Sequence, residues 1–198
     1  MPKITNEERD RQFAAQRDAI LQAAWRCFNR NTTIRTSMED VEREAGVTPA
    51  TLYLHYQSKD ELVRAVMESS LIGFENIIRQ LAASDAGSTR IGLLTAILET
   101  AHGFGIRSDG VNLFRLCAQS WAYAQTDVGM AEVIRSHYAG FIDFYTQLGQ
   151  RRWGLSAKDA RVHGVLIETI ILGYILQVSL GTGVTAEEHI AAYRQLGG

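Results

Sequence analysis

The sequence predicts an all-α protein of about nine helices. Three observations carry this. Apolar residues return every three or four positions along nearly the whole chain and nowhere alternate as in a strand. The only prolines are Pro2 and Pro49, so long helices can run without interruption. Most segments also open on a Ser or Thr that can cap a helix.

The first helix is expected over about 7–29, with Phe13, Ile20, Leu21, Ala24, Cys27 and Phe28 on one apolar face. Asn31 tolerates a left-handed backbone and is expected to end it. Ser37 followed by Asp40 is a capping-box start for the second helix, which holds Met38, Val41 and Ala45 and stops at Gly46. Thr48 caps the third, with Pro49 at its first position, where a missing N–H costs nothing. It ends near Tyr56. Ser58 and Glu61 open the fourth, which extends to about Ala83. Residues 84–88, Ser-Asp-Ala-Gly-Ser, form the clearest linker. Further helices are expected at about 88–105, 110–125, 127–152, 157–180 and 186–196, with breaks at 107–110, Thr126, 153–155 and 181–183. Ser156 with Asp159, and Thr185 with Glu188, are capping-box starts.

Composition narrows the function classes. Hydrophobic residues make up 46% and charged residues 21%, a globular balance that leaves material for a sizeable core. Net charge is −2, and residues 1–68 hold ten Lys/Arg against eleven Asp/Glu. Bulk charge therefore gives no help to nucleic-acid binding, which must rest on a motif. Cys27 and Cys117 are isolated, so free thiols are expected rather than a disulfide or zinc, with no metal and no cofactor. The N-terminal segment has no apolar stretch of the signal-peptide kind. The most apolar run, Val165 to Leu180, falls short of the ~20 residues of a span and contains Glu168. A cytoplasmic protein without a membrane partner is the expectation. Gly181 to Ala186 fits the spacing G-x-G-x-x-A, but the run before it reads as helix, not strand. No other catalytic signature occurs, and no enzyme is expected.

The informative stretch is Thr36 to Leu62, TSMEDVEREAGVTPATLYLHYQSKDEL. Two short capped helices joined by a turn at Gly46 are the layout of a helix-turn-helix, whose second helix enters the DNA major groove. Val41, Ala45, Val47 and Leu52 are small or apolar, so the two helices can cross closely. The amino end of the second helix presents free N–H groups suited to phosphate.

The order Ala45, Gly46, Val47, Thr48, Thr51, Leu52, Tyr53, His55, Tyr56, Ser58, Lys59, Glu61 and Leu62 resembles the DNA-binding domain of the TetR family. Ile20 to Phe28 fits the family's first helix, so the resemblance covers roughly residues 13–66. Two positions depart from it. Thr32 and Thr33 stand where the family has glycine and an aromatic, and Asn31 and Ile34 are expected to take over the turn and the packing. Leu54 stands where many relatives carry a polar residue.

The resemblance implies a helix-turn-helix domain over 1–58 and a ligand-binding and dimerisation domain over 59–198, with 59–83 as the connecting helix. It turns Leu52 and Tyr56 inward and Pro49, Ala50, Thr51, Tyr53, Leu54 and His55 toward double-stranded DNA, with Thr36, Ser37, Thr48 and Lys59 near phosphates. Pro49, Ala50 and Leu54 have no donors and can only touch thymine methyls or other apolar edges; Thr51 and His55 are left for polar base readout. Arg35 is placed to reach phosphate or the minor groove, or it is simply a solvated charge.

For the rest of the chain the resemblance lies only in the pattern of helices. It implies an effector pocket among Phe74, His102, Phe104, Phe114, Cys117, Trp121, Met130, His137, Phe141 and Tyr145, suited to a small apolar or aromatic molecule. Composition alone says only that this core is rich in aromatics. The segment VLIETIILGYILQVSL is apolar nearly all round, which makes 157–180 either a dimer helix or a central core helix. By resemblance, the last two helices form a four-helix homodimer bundle through Val165, Glu168, Ile171, Leu172, Tyr174, Ile175, Val178, Ile190 and Tyr193. The implied function is a DNA-binding repressor on a palindromic site, released by a small-molecule effector. A helical small-molecule-binding protein or an enzyme without DNA function is the alternative, and activation in place of repression stays open.

Overall fold

The computed structural model describes residues 5–105 and 113–196, apart from the side chains of Phe104 and Leu113. Among the described residues every regular element is helical: α1 (Asn6–Arg35), α2 (Met38–Ala45), α3 (Pro49–His55), α4 (Lys59–Ala83), a 3₁₀ turn (Asp85–Ser88), α5 (Arg90–Gly105), α6 (Leu113–Tyr123), α7 (Val128–Trp153), α8 (Ala157–Leu180) and α9 (Ala186–Gln195). The capping boxes expected at Ser37 and Thr185 form, and the Ser156 hydroxyl accepts from the Asp159 N–H. The break expected at 107–110 lies outside the described residues. The chain divides into two compact units, Met1–Ser69 and Ser70–Gly198. The division thus falls inside α4, whose first half contributes the buried Leu62, Val63, Val66 and Met67 to the first unit.

The first unit packs α1, α2, α3 and the start of α4 around Ile20, Ala24, Phe28, Val41, Leu52 and Tyr56, each no more than 1% exposed. Glu44 on α2 pairs with both Arg26 and Arg30 of α1, the first at 2.7 Å, which ties the two helices at their edge. The end of α1 differs from expectation. The helix continues to Arg35, and the left-handed residue is Thr32 (φ 71°, ψ 159°), not Asn31. Ile34 does not pack: it is 88% exposed. Thr36 does the fastening instead, its N–H and its hydroxyl both donating to the Thr32 carbonyl, at 3.2 and 2.8 Å.

The second unit is built around α8, which packs against α5, α6, α7 and α9. Its core gathers Leu93, Leu94, Ile97, Phe114, Phe141, Tyr145, Ile167, Ile171, Tyr174 and Tyr193. α7 and α8 approach closely because Gly164 has no side chain; a Cβ there would lie 2.8 Å from the Ile142 carbonyl oxygen. Arg152 and Trp153, at the end of α7, fasten the 3₁₀ turn by donating to the carbonyls of Ala82 (2.9 Å) and Gly87 (3.2 Å).

By length and composition alone α8 is apolar enough to cross a membrane, yet it also carries the buried His163 and Glu168. One face of this helix is core. Glu168, Ile171, Tyr174, Ile175, Ile190 and Tyr193 are buried inside their own unit, so they cannot form a surface for a second copy without unpacking the core. Of the residues expected at a dimer seam, Val165 remains exposed, and Leu172 and Val178 are half-buried. The outward face of α8 carries Val162, Val165, Thr169, Leu172, Leu176 and Leu180 at alternating three- and four-residue steps, ending with one more step of four.

Candidate nucleic-acid interface

The helix pair is set by its caps. The Ser37 hydroxyl accepts from the Asp40 N–H at 3.1 Å while the Asp40 carboxylate accepts from the Ser37 N–H at 2.9 Å. The Ser37 N–H and then the Ser37 hydroxyl, both donating to it, hold the Asp40 carboxyl below its ordinary range. Gly46 ends α2 in the left-handed region (φ 66°, ψ 33°), where a side chain would be strained. The Val47 N–H then donates to the Glu42 carbonyl at 3.2 Å, and the chain turns sharply into α3. Thr48 caps α3 by accepting from the Thr51 N–H at 3.3 Å.

Two turns of helix give α3 two faces. Leu52 and Tyr56 are buried, as their places in the motif require. Pro49, Ala50, Tyr53 and Leu54 are exposed, Tyr53 by 49% and Leu54 by 68%. Thr51 lies between the faces and shares a hydrogen bond with the Thr48 hydroxyl at 2.9 Å. The outer face is thus mainly apolar, with one phenol.

His55 is not on it. Its ring lies 4.1 Å from that of Phe13, and its Nε2 meets the Gln16 amide oxygen at 3.0 Å. Burial pushes its pKa down, so it is a neutral packing residue between α3 and α1 and not a base reader. Thr36 also turns inward, with its hydroxyl on main-chain carbonyls, so it positions the turn and does not offer a phosphate donor. Ser37 and Thr48 are exposed as expected, with their oxygens used in capping. Lys59 donates to the Ile34 carbonyl at 3.1 Å, and Arg35 stands exposed beside that carbonyl. The lysine is therefore half-committed to the protein. Phe13 and Gln16 are the positioning residues that the sequence pattern did not reveal. Helical spacing puts Phe13 on the apolar face of α1, and nothing local marks Gln16, 39 positions from its partner.

The residues expected around an effector fall into separate places in the second unit. Phe74 meets Phe141 edge-on at 6.2 Å, and Phe114 meets Tyr174 at 5.9 Å. Met130 is fully buried, while His137 lies 3.9 Å from the Glu75 carboxylate. His102 is exposed and bonds the Tyr174 hydroxyl at 2.8 Å, in an open cleft of about 650 Å³ with Glu99, Val184 and Glu187. The Phe104 side chain lies outside the described residues. Cys117, Trp121 and Tyr145 do come together, with two further residues, Tyr138 and Glu168. The Trp121 indole N–H donates to the Tyr138 hydroxyl, and the Glu168 carboxyl lies within electrostatic reach of both tyrosines. Burial pushes the Cys117 thiol up to about 12, which makes it inert at neutral pH. No group of three or more metal-ligating side chains occurs among the described residues.

Comparison with known proteins agrees with this geometry. Residues 20–66 match the family described as bacterial regulatory proteins, tetR family. Over 70 residues the chain is 36% identical to the uncharacterised HTH-type transcriptional regulator YfiR of Bacillus subtilis (strain 168); the match covers 35% of this chain and 32% of that protein. The match thus spans about a third of that curated relative's length. The fold as a whole is similar to solved structures of low identity. A TetR transcription regulator from Haloarcula marismortui ATCC 43049 has a TM-score of 0.74 at 19% identity, covering 92% of this chain and 94% of that one. A transcriptional regulator from Saccharomonospora viridis in complex with choline has a TM-score of 0.72 at 17% identity, covering 92% and 95%. Residues 20–66, which hold the capped pair α2 and α3, are thus a helix-turn-helix region of the tetR type.

Proposed function

We propose that the protein is a dimeric transcriptional repressor that binds a palindromic DNA site and leaves it when a small molecule occupies the second unit. One observation carries the DNA reading: α3 is held by Leu52, His55 and Tyr56 while its opposite face, Pro49, Ala50, Tyr53 and Leu54, faces outward with no packing partner to satisfy. A face of that composition reads thymine methyls by contact and reaches phosphate or sugar through the Tyr53 hydroxyl. Exposed Arg35 and half-buried Lys59 add charge near the backbone.

Dimerisation follows from the weakness of one short recognition helix, which needs a second half-site. The stripe of exposed Val162, Val165, Leu176 and Leu180, with half-buried Leu172 among them, supplies the surface, since its steps match a helix-to-helix seam. Control by an effector is supported by the choline complex of the Saccharomonospora viridis protein and by the polar groups inside this chain's second core. The effector acts by favouring the DNA-incompetent state, and α4, which belongs to both units, is the element through which it acts.

The test is selection of bound sites from random duplexes, followed by retention measured against salt. Selected sites should show inverted symmetry, and log affinity should fall linearly with log salt. Retention that ignores salt, or selected sites without symmetry, would overturn the reading.

A further inference from the structure

We infer that the effector is an organic cation, seated with its positive charge against the Glu168 carboxylate among Trp121, Tyr138 and Tyr145. This rests on the reading of the second unit as the effector-binding part.

Glu168 sits in the middle of α8 and is only 4% exposed. Among the described residues its carboxyl makes no hydrogen bond or ion pair. Burial pushes its pKa up to about 8, and among the described residues no cation opposes the rise. Among the described residues, the titratable groups within its electrostatic reach are the phenols of Tyr138 and Tyr145 on α7, which burial raises first and Glu168 raises further, and which bring no positive charge. Tyr145 is fully buried, and among the described residues its hydroxyl also lacks a partner. Trp121 on α6 completes the group through its bond to Tyr138.

Buried carboxyls that serve the fold are paired or hydrogen-bonded, because an unpaired one destabilises the folded state. An aliphatic residue at this position would pack α8 better. A neutral apolar guest has no use for the carboxyl, and an anionic guest is repelled by it. A cation satisfies every feature at once. It neutralises Glu168, lies against ring faces that carry negative potential, and leaves the Tyr145 hydroxyl to accept from a guest N–H or meet a methyl. Seating the cation ionises Glu168, so the carboxyl proton passes to solvent.

The experiment is calorimetric titration of the full-length protein at pH 7.0 with benzyltrimethylammonium and with its uncharged carbon isostere, neopentylbenzene. Running it in buffers of different ionisation enthalpy counts the protons released. The cation should bind about tenfold more tightly or better, as desolvated cation–π contact and charge neutralisation require. It should release about one proton per site, because the empty-site carboxyl is mostly protonated at that pH. Glu168→Gln keeps the shape and removes the charge; it should abolish both the preference and the proton release while leaving the isostere's affinity unchanged. Equal or tighter binding of the isostere, or cation binding by the parent without proton release, overturns the inference even if the variant does not fold. If only the isostere binds, the ligand class is wrong and the effector-binding role of the second unit stands. If neither binds while salt-dependent retention on duplex DNA persists, the effector reading falls as well and the DNA reading survives.

Discussion

Thr32 offers the sharpest test of how the first unit is built. Its backbone (φ 71°, ψ 159°) lies in a region open essentially only to glycine, and a β-branched residue there is strained by roughly 1–3 kcal/mol. Thr32→Gly removes that strain. Against the gain stand the conformational freedom that glycine loses on folding, about 0.5–1 kcal/mol, and the hydroxyl that accepts from the Arg35 N–H at a long 3.4 Å. The net is a stabilisation of about 1 kcal/mol, which for a chain of this length raises the melting temperature by roughly 2–4 °C. Two neighbours make the controls. Thr32→Ala keeps a Cβ in the same backbone conformation and loses the hydroxyl, so it should not gain. Thr33→Gly acts on a buried residue of ordinary helical backbone and should lower the melting temperature. Thermal unfolding followed by circular dichroism decides it. A Thr32→Gly protein that melts at or below the parent, or a Thr32→Ala protein that gains as much, refutes the reasoning that strain is stored at this kink.

Four further outcomes follow from the geometry. Val165→Glu with Leu176→Glu, two residues exposed by 43% and 42%, should yield a folded monomer by sedimentation velocity that loses DNA affinity; a persistent dimer places the seam elsewhere. Leu54→Ala should cost preference for thymine at one symmetric pair of positions and leave the melting temperature unchanged. His55→Ala should lower stability by roughly 1–3 kcal/mol through its lost packing and weaken all duplexes alike, which competition binding separates. Finally, Glu168 is harder to ionise folded than unfolded, so its contribution to stability is complete below about pH 4.5 and is lost as pH rises toward about 8. Urea unfolding across that window should show the parent losing up to about 1.4 kcal/mol per pH unit relative to Glu168→Gln, and parallel curves would contradict it.

The fold was largely legible because its signals are local. Capping residues, Gly46 and the helical recurrence of apolar side chains each act within a turn or two of where they stand. The registers of Leu52, Tyr56 and Leu54 were legible for the same reason. His55 was not, since its inward turn depends on Phe13 and Gln16, partners that only the folded chain brings near. The end of α1 was misread because propensity favours Asn31 for a positive φ, whereas the packing of Thr33 and the bonds of Thr36 put the kink at Thr32. On α8, an apolar residue on any face looks alike in sequence. Only the packing of α5, α6, α7 and α9 around it separates Ile171 and Tyr174 from Val165 and Leu176.

The division of labour on α3 bears on how such a protein changes over generations. The residues that hold the helix, Leu52, His55 and Tyr56, are buried, whereas Ala50 and Leu54 have neither a hydrogen-bonding duty nor a packing one. Substitutions at exposed positions of that kind typically move stability by no more than about 0.5 kcal/mol. Under the proposed reading those same two positions touch the bases. A lineage can therefore trade one operator for another by altering Ala50 or Leu54 while the scaffold stays intact, so that recognition drifts almost free of the constraint that keeps the domain folded.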